Sequence, residues 1–328
     1  MNKKVSIIVP VFNGAKYIDR FVECLSGQTY KNIEIIFIDD GSTDNTFDIC
    51  KSYERRNERI KIFSKDNGGP SSARNIGIEK AIGDYVVFFD IDDEFEDNIL
   101  EDNLKIALES DADIVIWNFK MQVIDENKTV IRKLGSSFSG SSEEFFDKYL
   151  IPVIDNEMFN PPWNKMVRRN FLIANNICFN TRYSLYEDIL FSCNVFRYAK
   201  RVAVNDEIYY TYLIKSSGSL LTKLHKECFK AVTEIYNTSQ IYCGMYDDNI
   251  KQKERFEKQY VYLAKGYLKR ICVDEQTNST EKAALLDEVR LNKNFNSLLK
   301  KHSRSIKNKL FYVLFTNRQY KILSAMYR

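Results

Sequence analysis

Short apolar runs alternate with amphipathic segments of about a dozen residues through the first 120 residues of the chain. The pattern predicts strands at residues 4–9, 32–39, 59–64, 85–89 and 113–118. It predicts helices at residues 15–26, 71–81 and 98–109, with another that begins at the capping cluster 42–44. Such alternation is typical of an α/β fold in which a mostly parallel sheet is covered by helices on both faces.

Polar side chains follow the predicted strands at the point where each strand ends. They are Asn13 after the first strand, Asp39 and Asp40 after the second, Asn67 after the third, and Asp90 and Asp92 after the fourth. Ligands of open parallel sheets bind beyond the carboxyl ends of the strands. The sequence therefore predicts a binding site at this edge of the sheet.

Three carboxylates crowd the end of the fourth strand, in the segment YVVFFDIDDE. Asp90, Asp92 and Asp93 repel one another unless something neutralises them, and hard oxygen ligands suit Mg²⁺ or Mn²⁺. An acidic turn that caps the following helix is the alternative.

The rest of the chain is less regular. Residues 121–133 resemble a hairpin, 141–150 a capped helix, and 202–213 two short strands around Asn205 and Asp206. Helical patterning fills the sequence from about residue 222 onward. We therefore predict an α/β domain at 1–220 and an all-helical C-terminal region at 221–328.

The composition is typical of a globular protein without membrane spans or disulfides. Hydrophobic residues make up 44% of the chain, which is enough for a sizeable core, and no run of 18 uncharged apolar residues predicts a membrane span. The apolar run near the N-terminus is short and includes Pro10, so we interpret it as a strand rather than a signal peptide. The seven cysteines are scattered without a CxxC pair, which favours reduced thiols in a cytosolic protein.

Five ordered segments carry a family resemblance: VSIIVPVFN, IIFIDDGSTD, DNGGPSSARNIG, VVFFDIDDE and LYEDILF. Over residues 3–220 they resemble the family 2 glycosyltransferases of the GT-A fold, a Rossmann-like nucleotide-binding fold. The resemblance implies inverting transfer of a sugar from a UDP-sugar to a saccharide acceptor, as in the synthesis of bacterial capsules and exopolysaccharides. No GxGxxG or P-loop motif supports another nucleotide-binding fold.

The resemblance also implies a nucleotide site and a metal. Asp39 is expected to accept the uracil N–H, with helix capping as its alternative, and Asp90 to lie near the ribose. Asp92 is expected to hold Mn²⁺ or Mg²⁺, and Asp93 to orient the ion or the sugar. The other candidate nucleotide-binding residues are Pro10, Val11, Asn13, Asn67, Arg74 and Ile91. Arg74 is a candidate for contacting the base or the diphosphate, with a solvated or locally paired arginine as the alternative.

Glu187 and Asp188 stand at the start of an apolar-periodic helix. Acidic residues there complement the helix dipole, which is their structural interpretation. The resemblance makes Asp188 the candidate general base, with Glu187 as the next candidate, because an inverting transfer needs one carboxylate to accept the proton of the acceptor hydroxyl.

Four residues are expected on the acceptor or phosphate side. Trp163 is a candidate for stacking on a sugar ring or for the core, and Lys165 for binding phosphate or for a surface ion pair. The segment IYYTYLIKSSGSLLT has Leu213 where the family commonly has arginine, so a phosphate contact there falls to Lys215 or Ser219.

The C-terminal residues are strongly basic: from Lys300 to Arg328 there are eight Lys or Arg residues and no Asp or Glu. Interleaved apolar residues make this segment a candidate for peripheral attachment to the inner face of the cell membrane, beside a lipid-linked acceptor. A helix that packs its apolar side on the protein is the alternative, and self-association through the C-terminal helices is also open. No recognition motif for nucleic acid appears.

Two other functions remain open at this stage. A sugar-nucleotide nucleotidyltransferase would also use an α/β sheet and a carboxylate-bound metal, but would need a basic glycine-rich loop after the first strand. A non-catalytic carbohydrate-binding or scaffold protein would tolerate loss of the acidic residues, all of which this chain retains.

Overall fold

The computed structural model describes residues 2–214, 224–245 and 250–327. The chain divides into two compact units. The first comprises Met1–Thr181 and Glu187–Ser217, and the second comprises Arg182–Tyr186 and Gly218–Arg328. The division lies close to the boundary that the sequence predicts at residue 220, with five residues before Glu187 assigned to the second unit.

The first unit is built on one ten-stranded sheet. Its main strand order is β3-β2-β1-β4-β9-β6-β10-β5, with β7 paired to β6 and β8 paired to β10. The strands are β1 (Val5–Val11), β2 (Ile33–Asp39), β3 (Ile60–Ser64), β4 (Tyr85–Phe88), β5 (Glu94–Phe95), β6 (Ile114–Val123), β7 (Lys128–Arg132), β8 (Phe138–Ser141), β9 (Lys165–Arg168) and β10 (Arg201–Ile214).

The predicted α/β class is confirmed, and the parallel pairing is concentrated in one half of the sheet. Strands β1 to β4 pair only in parallel with one another, and β6 pairs in parallel with β10. Strands β5, β7, β8 and β9 add antiparallel pairs, so the complete sheet is mixed. The β6–β7 pair confirms the predicted hairpin.

The prediction of two short strands around Asn205 was wrong. Strand β10 continues from Arg201 to Ile214, with register shifts between Asn205 and Ile208 and between Ile208 and Tyr210. A β-bulge accommodates extra residues without ending the strand. The polar Asn205 and Asp206 therefore mark a bulge rather than a turn.

Seven helices accompany the sheet within the described part of the first unit. They are α1 (Ala15–Gly27), α2 (Thr46–Arg56), α3 (Pro70–Lys80), α4 (Ile99–Glu109), α5 (Ser142–Asp155), α6 (Arg169–Ala174) and α7 (Glu187–Tyr198). Helix α3 packs on β1 through Gly77, because a Cβ at this position would collide with the side chain of Ile8. The close packing holds α3 against β1.

The second unit is helical over its described residues. Its helices are α8 (Cys228–Met245), α9 (Ile250–Val273), α10 (Ser279–Leu291), α11 (Lys293–His302), α12 (Ile306–Thr316) and α13 (Tyr320–Ala325). Its core includes Phe229, Tyr260, Tyr267, Phe295 and Phe315. Across the described ranges, no helix is both long and apolar enough to cross a membrane.

Candidate active site

The ends of the three neighbouring strands β1, β2 and β3 lie in register, with Val11 opposite Asp39 and Asp39 opposite Ser64. Asp39 is 2% exposed. One of its carboxylate oxygens accepts the Ser42 N–H at 3.1 Å, and the other accepts the Ser64 hydroxyl at 3.1 Å. Asp39 thus closes β2 and orients the loop after it.

Asp40, the next residue, organises the turn before α3. Its carboxylate accepts the backbone N–H groups of Gly68 at 3.0 Å and Gly69 at 2.7 Å, and pairs with Lys65 at 2.5 Å. Its carbonyl oxygen accepts the Asn67 amide at 2.9 Å. Asp40 therefore holds the Asn67–Gly69 turn in place, a role that the sequence analysis did not assign.

The loop after β1 is tied to the loop after β2 by Asn13, which has a left-handed backbone with φ of 51°. Its side-chain oxygen accepts the Thr43 N–H at 2.8 Å, and its own N–H donates to the Ser42 hydroxyl at 2.9 Å. The side chain of Asn13 is therefore engaged within the protein and braces the two loops against each other.

Three further residues implied by the resemblance lie at the same strand ends. Val11 and Ile91 are buried, and both approach Gly14, where a Cβ would meet their side chains. Pro10 is partly exposed at the end of β1. Val11 and Ile91 therefore pack around Gly14 beside the strand ends.

Arg74 connects two of the predicted motifs. Its guanidinium donates to Asp90 at 3.0 Å and lies 3.9 Å from a carboxylate oxygen of Glu187. It also lies over the ring of Phe179, 5.4 Å from the ring centre. Burial disfavours the charged guanidinium, but Asp90 and Glu187 outweigh burial and leave the pKa of Arg74 above its ordinary value.

Residues of β10 form hydrogen bonds with the acidic turn after β4, which contains Asp90, Asp92 and Asp93. The Asp90 N–H donates to the hydroxyl oxygen of Tyr210 at 3.1 Å, and that hydroxyl donates to Asp93 at 2.9 Å. The second oxygen of Asp93 accepts the Leu213 N–H at 2.9 Å. Burial, together with the nearby charges of Asp90 and Asp92, raises the pKa of Asp93 well above its usual range.

Arg20 holds the same turn from the side of α1. It donates to the carbonyl oxygen of Asp92 at 2.9 Å and pairs with Glu94 at 2.9 Å. Because the backbone of the turn is fixed by Arg20 and Tyr210, the side chains of Asp90 and Asp92 are held at a strand end rather than in a loose loop.

The donor set of this turn fits a divalent cation. In the described part of the chain, no three His, Cys, Asp or Glu side chains are grouped to hold a metal by themselves. Mg²⁺ is usually held by one or two carboxylates together with substrate phosphates, and Asp90 and Asp92 offer such a pair. A cation there would offset the charges of Asp90 and Asp92, which add to burial in raising the pKa of Asp93.

Asp188 lies in the first turn of α7, and its carboxylate accepts the Ile189 N–H at 2.7 Å. Burial, then the charge of Glu187, raises its pKa to about 7, although Arg74 and Lys165 oppose the shift. A carboxylate with this pKa can accept a proton efficiently near neutral pH. The raised pKa of Asp188 therefore suits the expected role of general base. An acid that only complemented the helix dipole would have an ordinary, low pKa.

Lys165 differs from both sequence interpretations, since it is fully buried. Its ammonium group donates to the carbonyl oxygens of Phe159 at 3.2 Å and Pro161 at 2.5 Å and to the side-chain oxygen of Asn164 at 2.7 Å. Burial lowers its pKa to about 7. Lys165 thus stabilises the loop before β9. It does not form a surface ion pair, and its ammonium group is already bonded to protein oxygens rather than available to phosphate.

Trp163 lies in an aromatic cluster of the core and is 6% exposed. Its ring stacks on Tyr210 with centres 4.5 Å apart, and the edge contact with Phe119 has centres 4.6 Å apart. The core interpretation of Trp163 is the one that these contacts favour, because one ring face is already covered. Lys215 and Ser219 lie outside the described residues.

The structure adds Arg20 and Tyr210 to the residues that shape the site, and it gives Asp40, already expected at a strand end, its role in the turn before α3. Two of them left a signal in the sequence: Asp40 is the second acid of a strand-terminal pair, and Tyr210 belongs to the alternating aromatic segment YYTY. The role of Arg20 had no signal in the sequence, because Arg20 lies on α1, far in sequence from the turn that it holds.

Comparison with known proteins agrees with this geometry. Residues 6–174 match the model of Glycosyl transferase family 2. The chain is 32% identical to the Bacillus subtilis protein EpsH, which is named as a glycosyltransferase, over 72% of this chain and 67% of that protein. It is 34% identical to the cholesterol galactosyltransferase of Borreliella burgdorferi over 68% of this chain, but spans only 64% of that relative's length.

Solved structures share the fold. The crystal structure of S. aureus TarS 1-349 in complex with UDP superposes with a TM-score of 0.70 at 19% identity, covering 99% of this chain and 91% of that one. The same protein in complex with UDP-GlcNAc gives a TM-score of 0.66 at 20% identity, covering 90% of this chain and 81% of that one. The family match covers half of the sequence, and it includes every strand end described above. The chain belongs to glycosyl transferase family 2 and is a glycosyltransferase of the GT-A fold.

Proposed function

We propose that this protein transfers a sugar from a UDP-sugar to a saccharide acceptor, with inversion at the anomeric carbon and with help from Mn²⁺ or Mg²⁺. The observation that carries the proposal is the position of Arg74 between Asp90 and Glu187. It places the acidic turn expected to hold the donor beside the acidic pair expected to activate the acceptor.

The donor side rests on the strand ends. Asp39 and Asp90 are the carboxylates for the nucleoside, and the TarS structures in complex with UDP and UDP-GlcNAc support uracil as the base. Asp92, with Asp90, would hold the cation. When bound, the cation acts as a Lewis acid that stabilises the departing diphosphate.

Asp188 is the proposed general base. As the acceptor oxygen bonds to the anomeric carbon, the bond from that carbon to the diphosphate oxygen breaks, and UDP leaves with the electron pair. The acceptor hydroxyl proton passes to the carboxylate of Asp188, whose raised pKa favours holding it. The negative charge of Glu187 contributes to raising the pKa of Asp188, and the positive charge of Arg74 lowers it.

The acceptor is proposed to be a lipid-linked saccharide in surface polysaccharide synthesis, at the inner face of the cell membrane. The basic C-terminal residues support this location, since cationic groups are attracted to anionic lipid. The helical second unit is proposed to provide the membrane-facing or self-associating part of the protein.

A release screen tests the proposal. Common UDP-sugars, with GDP-sugars as the nucleotide control, are incubated with Mn²⁺ and a lipid-linked acceptor, and acceptor-dependent nucleotide release is measured. We expect release with at least one UDP-sugar, and a product whose anomeric configuration, determined by NMR, is opposite to that of the donor. Release only from GDP-sugars would overturn the donor assignment, and a retained configuration would overturn inversion.

A further inference from the structure

Helix α12 has two apolar sides. Phe311 and Phe315 are buried in the core of the second unit. On the other side, Ile306 is 88% exposed, Leu310 49% and Val313 51%. Residues spaced by four and then three positions lie on one face of a helix. The exposed three therefore form a continuous apolar stripe on the solvent side of α12.

The next helix repeats this division on a smaller scale. On α13, Leu323 is buried in the core, whereas Ile322 is 51% exposed and Met326 40%. Helix α13 is held in place by Asp287 of α10, whose carboxylate accepts hydrogen bonds from the Arg318 guanidinium and from the Tyr320 hydroxyl at 2.5 Å. The exposed residues of α13 thus belong to a fixed helix rather than to a loose tail.

Lysines border these apolar residues. At the helical spacing, Lys307 and Lys309 lie on either side of the α12 stripe, and Lys321 precedes Ile322. Other basic residues of this segment are neutralised: Lys301 pairs with Glu257, and Arg318 with Asp287. Within the described residues, no acidic group pairs with Lys300, Lys307, Lys309 or Lys321.

We infer that Ile306, Leu310, Val313, Ile322 and Met326, with Lys307, Lys309 and Lys321, form a docking face for an anionic lipid surface. We call this set the apolar-basic face. Apolar side chains at the level of the headgroups and cations beside the phosphates are the two components of interfacial helix binding. A second copy of the chain suits the face less well, because residues 300–328 contain no acid to complement the lysines.

This inference rests on the proposed function, because a lipid-linked acceptor gives the protein a reason to bind a membrane. It goes further by assigning that binding to a defined set of exposed residues. Phe311, Phe315 and Leu323 are excluded from the face because they fill the core. A substitution of these three would test folding, whereas substitutions on the face leave the core intact.

The test is flotation of the full-length protein with vesicles of phosphatidylcholine and phosphatidylglycerol, and with vesicles of phosphatidylcholine alone. We expect binding to the anionic vesicles, with a loss of about tenfold or more in partition coefficient for Lys307→Glu/Lys309→Glu and for Leu310→Glu/Val313→Glu. The matched controls are Lys253→Glu and Leu291→Glu, two exposed positions on α9 and α10. They are expected to bind like the wild type.

Several results would overturn the inference. They are equal binding to both kinds of vesicle, no binding to either, or equal losses in the face variants and the controls. A wild-type dimer in solution that the face variants dissociate, with no vesicle binding, would assign the face to self-association instead. Thermal unfolding, followed by circular dichroism on every variant, checks that the helical second unit is folded. A protein that binds lipid without transferring sugar would refute only the proposed function.

Discussion

The guanidinium of Arg74, on helix α3, donates to the carboxylate of Asp90 in the acidic turn after β4 at 3.0 Å. Both partners are at least partly buried, and Glu187 lies on the far side of the same guanidinium at 3.9 Å. In the proposed function, this contact makes the donor side and the acceptor side of the site depend on one residue.

Arg74→Ala is therefore expected to reduce both stability and UDP affinity. Removal of one partner of a buried ion pair costs about 3–5 kcal/mol, because the remaining carboxylates lose their counter-charge. Urea denaturation and calorimetric titration of UDP measure the two effects. Lys3→Met, which removes an exposed pair with Asp84, is the control and is expected to change neither appreciably. If Arg74→Ala changed UDP affinity no more than this control, the bridge would have no functional role.

Two neighbouring tyrosines allow a second, matched test. The Tyr210 hydroxyl accepts from the Asp90 N–H and donates to Asp93, whereas the Tyr209 hydroxyl donates to the partly exposed Asp102 of α4 at 2.9 Å. Either Tyr→Phe change is expected to cost about 1–3 kcal/mol of unfolding free energy, since each leaves buried polar groups unpaired. Only Tyr210→Phe is expected to weaken metal-dependent UDP binding. Equal affinity in the two variants would show that Tyr210 does not position the acidic turn.

Much of this arrangement could be predicted from the sequence because it depends on local patterns. The strand ends carrying Asp39 and Asp90 follow directly from the alternation of apolar runs and helices. The burial of Lys165 could not be predicted, because it depends on the carbonyl oxygens of residues 158–161. For Trp163 the sequence left a core position and a sugar contact open, because the choice depends on long-range packing against Tyr210. The roles of Arg20 and Tyr210 were missed for the same reason, since their partners lie far away in sequence.

The burial of individual residues in the basic C-terminal segment, residues 300–328, also could not be predicted from the sequence. The composition indicated an amphipathic segment, but an apolar residue count cannot distinguish the buried Phe311 and Phe315 from the exposed Leu310 and Val313. Only the orientation of α12 against the core separates the two sets.

UDP binding is expected to depend on a divalent cation and on Asp92. Asp92→Ala removes a carboxylate from the pair proposed to hold the ion beside the diphosphate. Calorimetric titration of UDP with Mn²⁺, and again with EDTA, should show strong binding only for the wild type with metal. Glu96→Gln, an exposed acid beyond the turn, is the control. Metal-independent affinity for UDP in the wild type would contradict this assignment.

The raised pKa of Asp188 predicts a pH dependence of activity and of stability. Because this pKa is about 7 rather than the ordinary 3.8, transfer should increase as pH rises through 7 and then level off. The folded state retains the proton that the unfolded chain has released, so this group's contribution to stability falls as pH rises from about 4 to 7. Asp188→Asn should therefore be no less stable than the wild type at pH 8, as thermal denaturation would show.

The most direct measurement for the central claim compares UDP affinity with turnover in Asp188→Asn. If Asp188 is the base of a UDP-sugar transferase, UDP affinity should stay within about twofold of the wild type, while kcat falls by about 10² or more and the pH step near 7 disappears. Glu187→Gln, which keeps Asp188, should retain more activity and shift the step to lower pH, since the charge of Glu187 raises that pKa. Near-normal turnover of Asp188→Asn, with the pH step intact, would contradict the account.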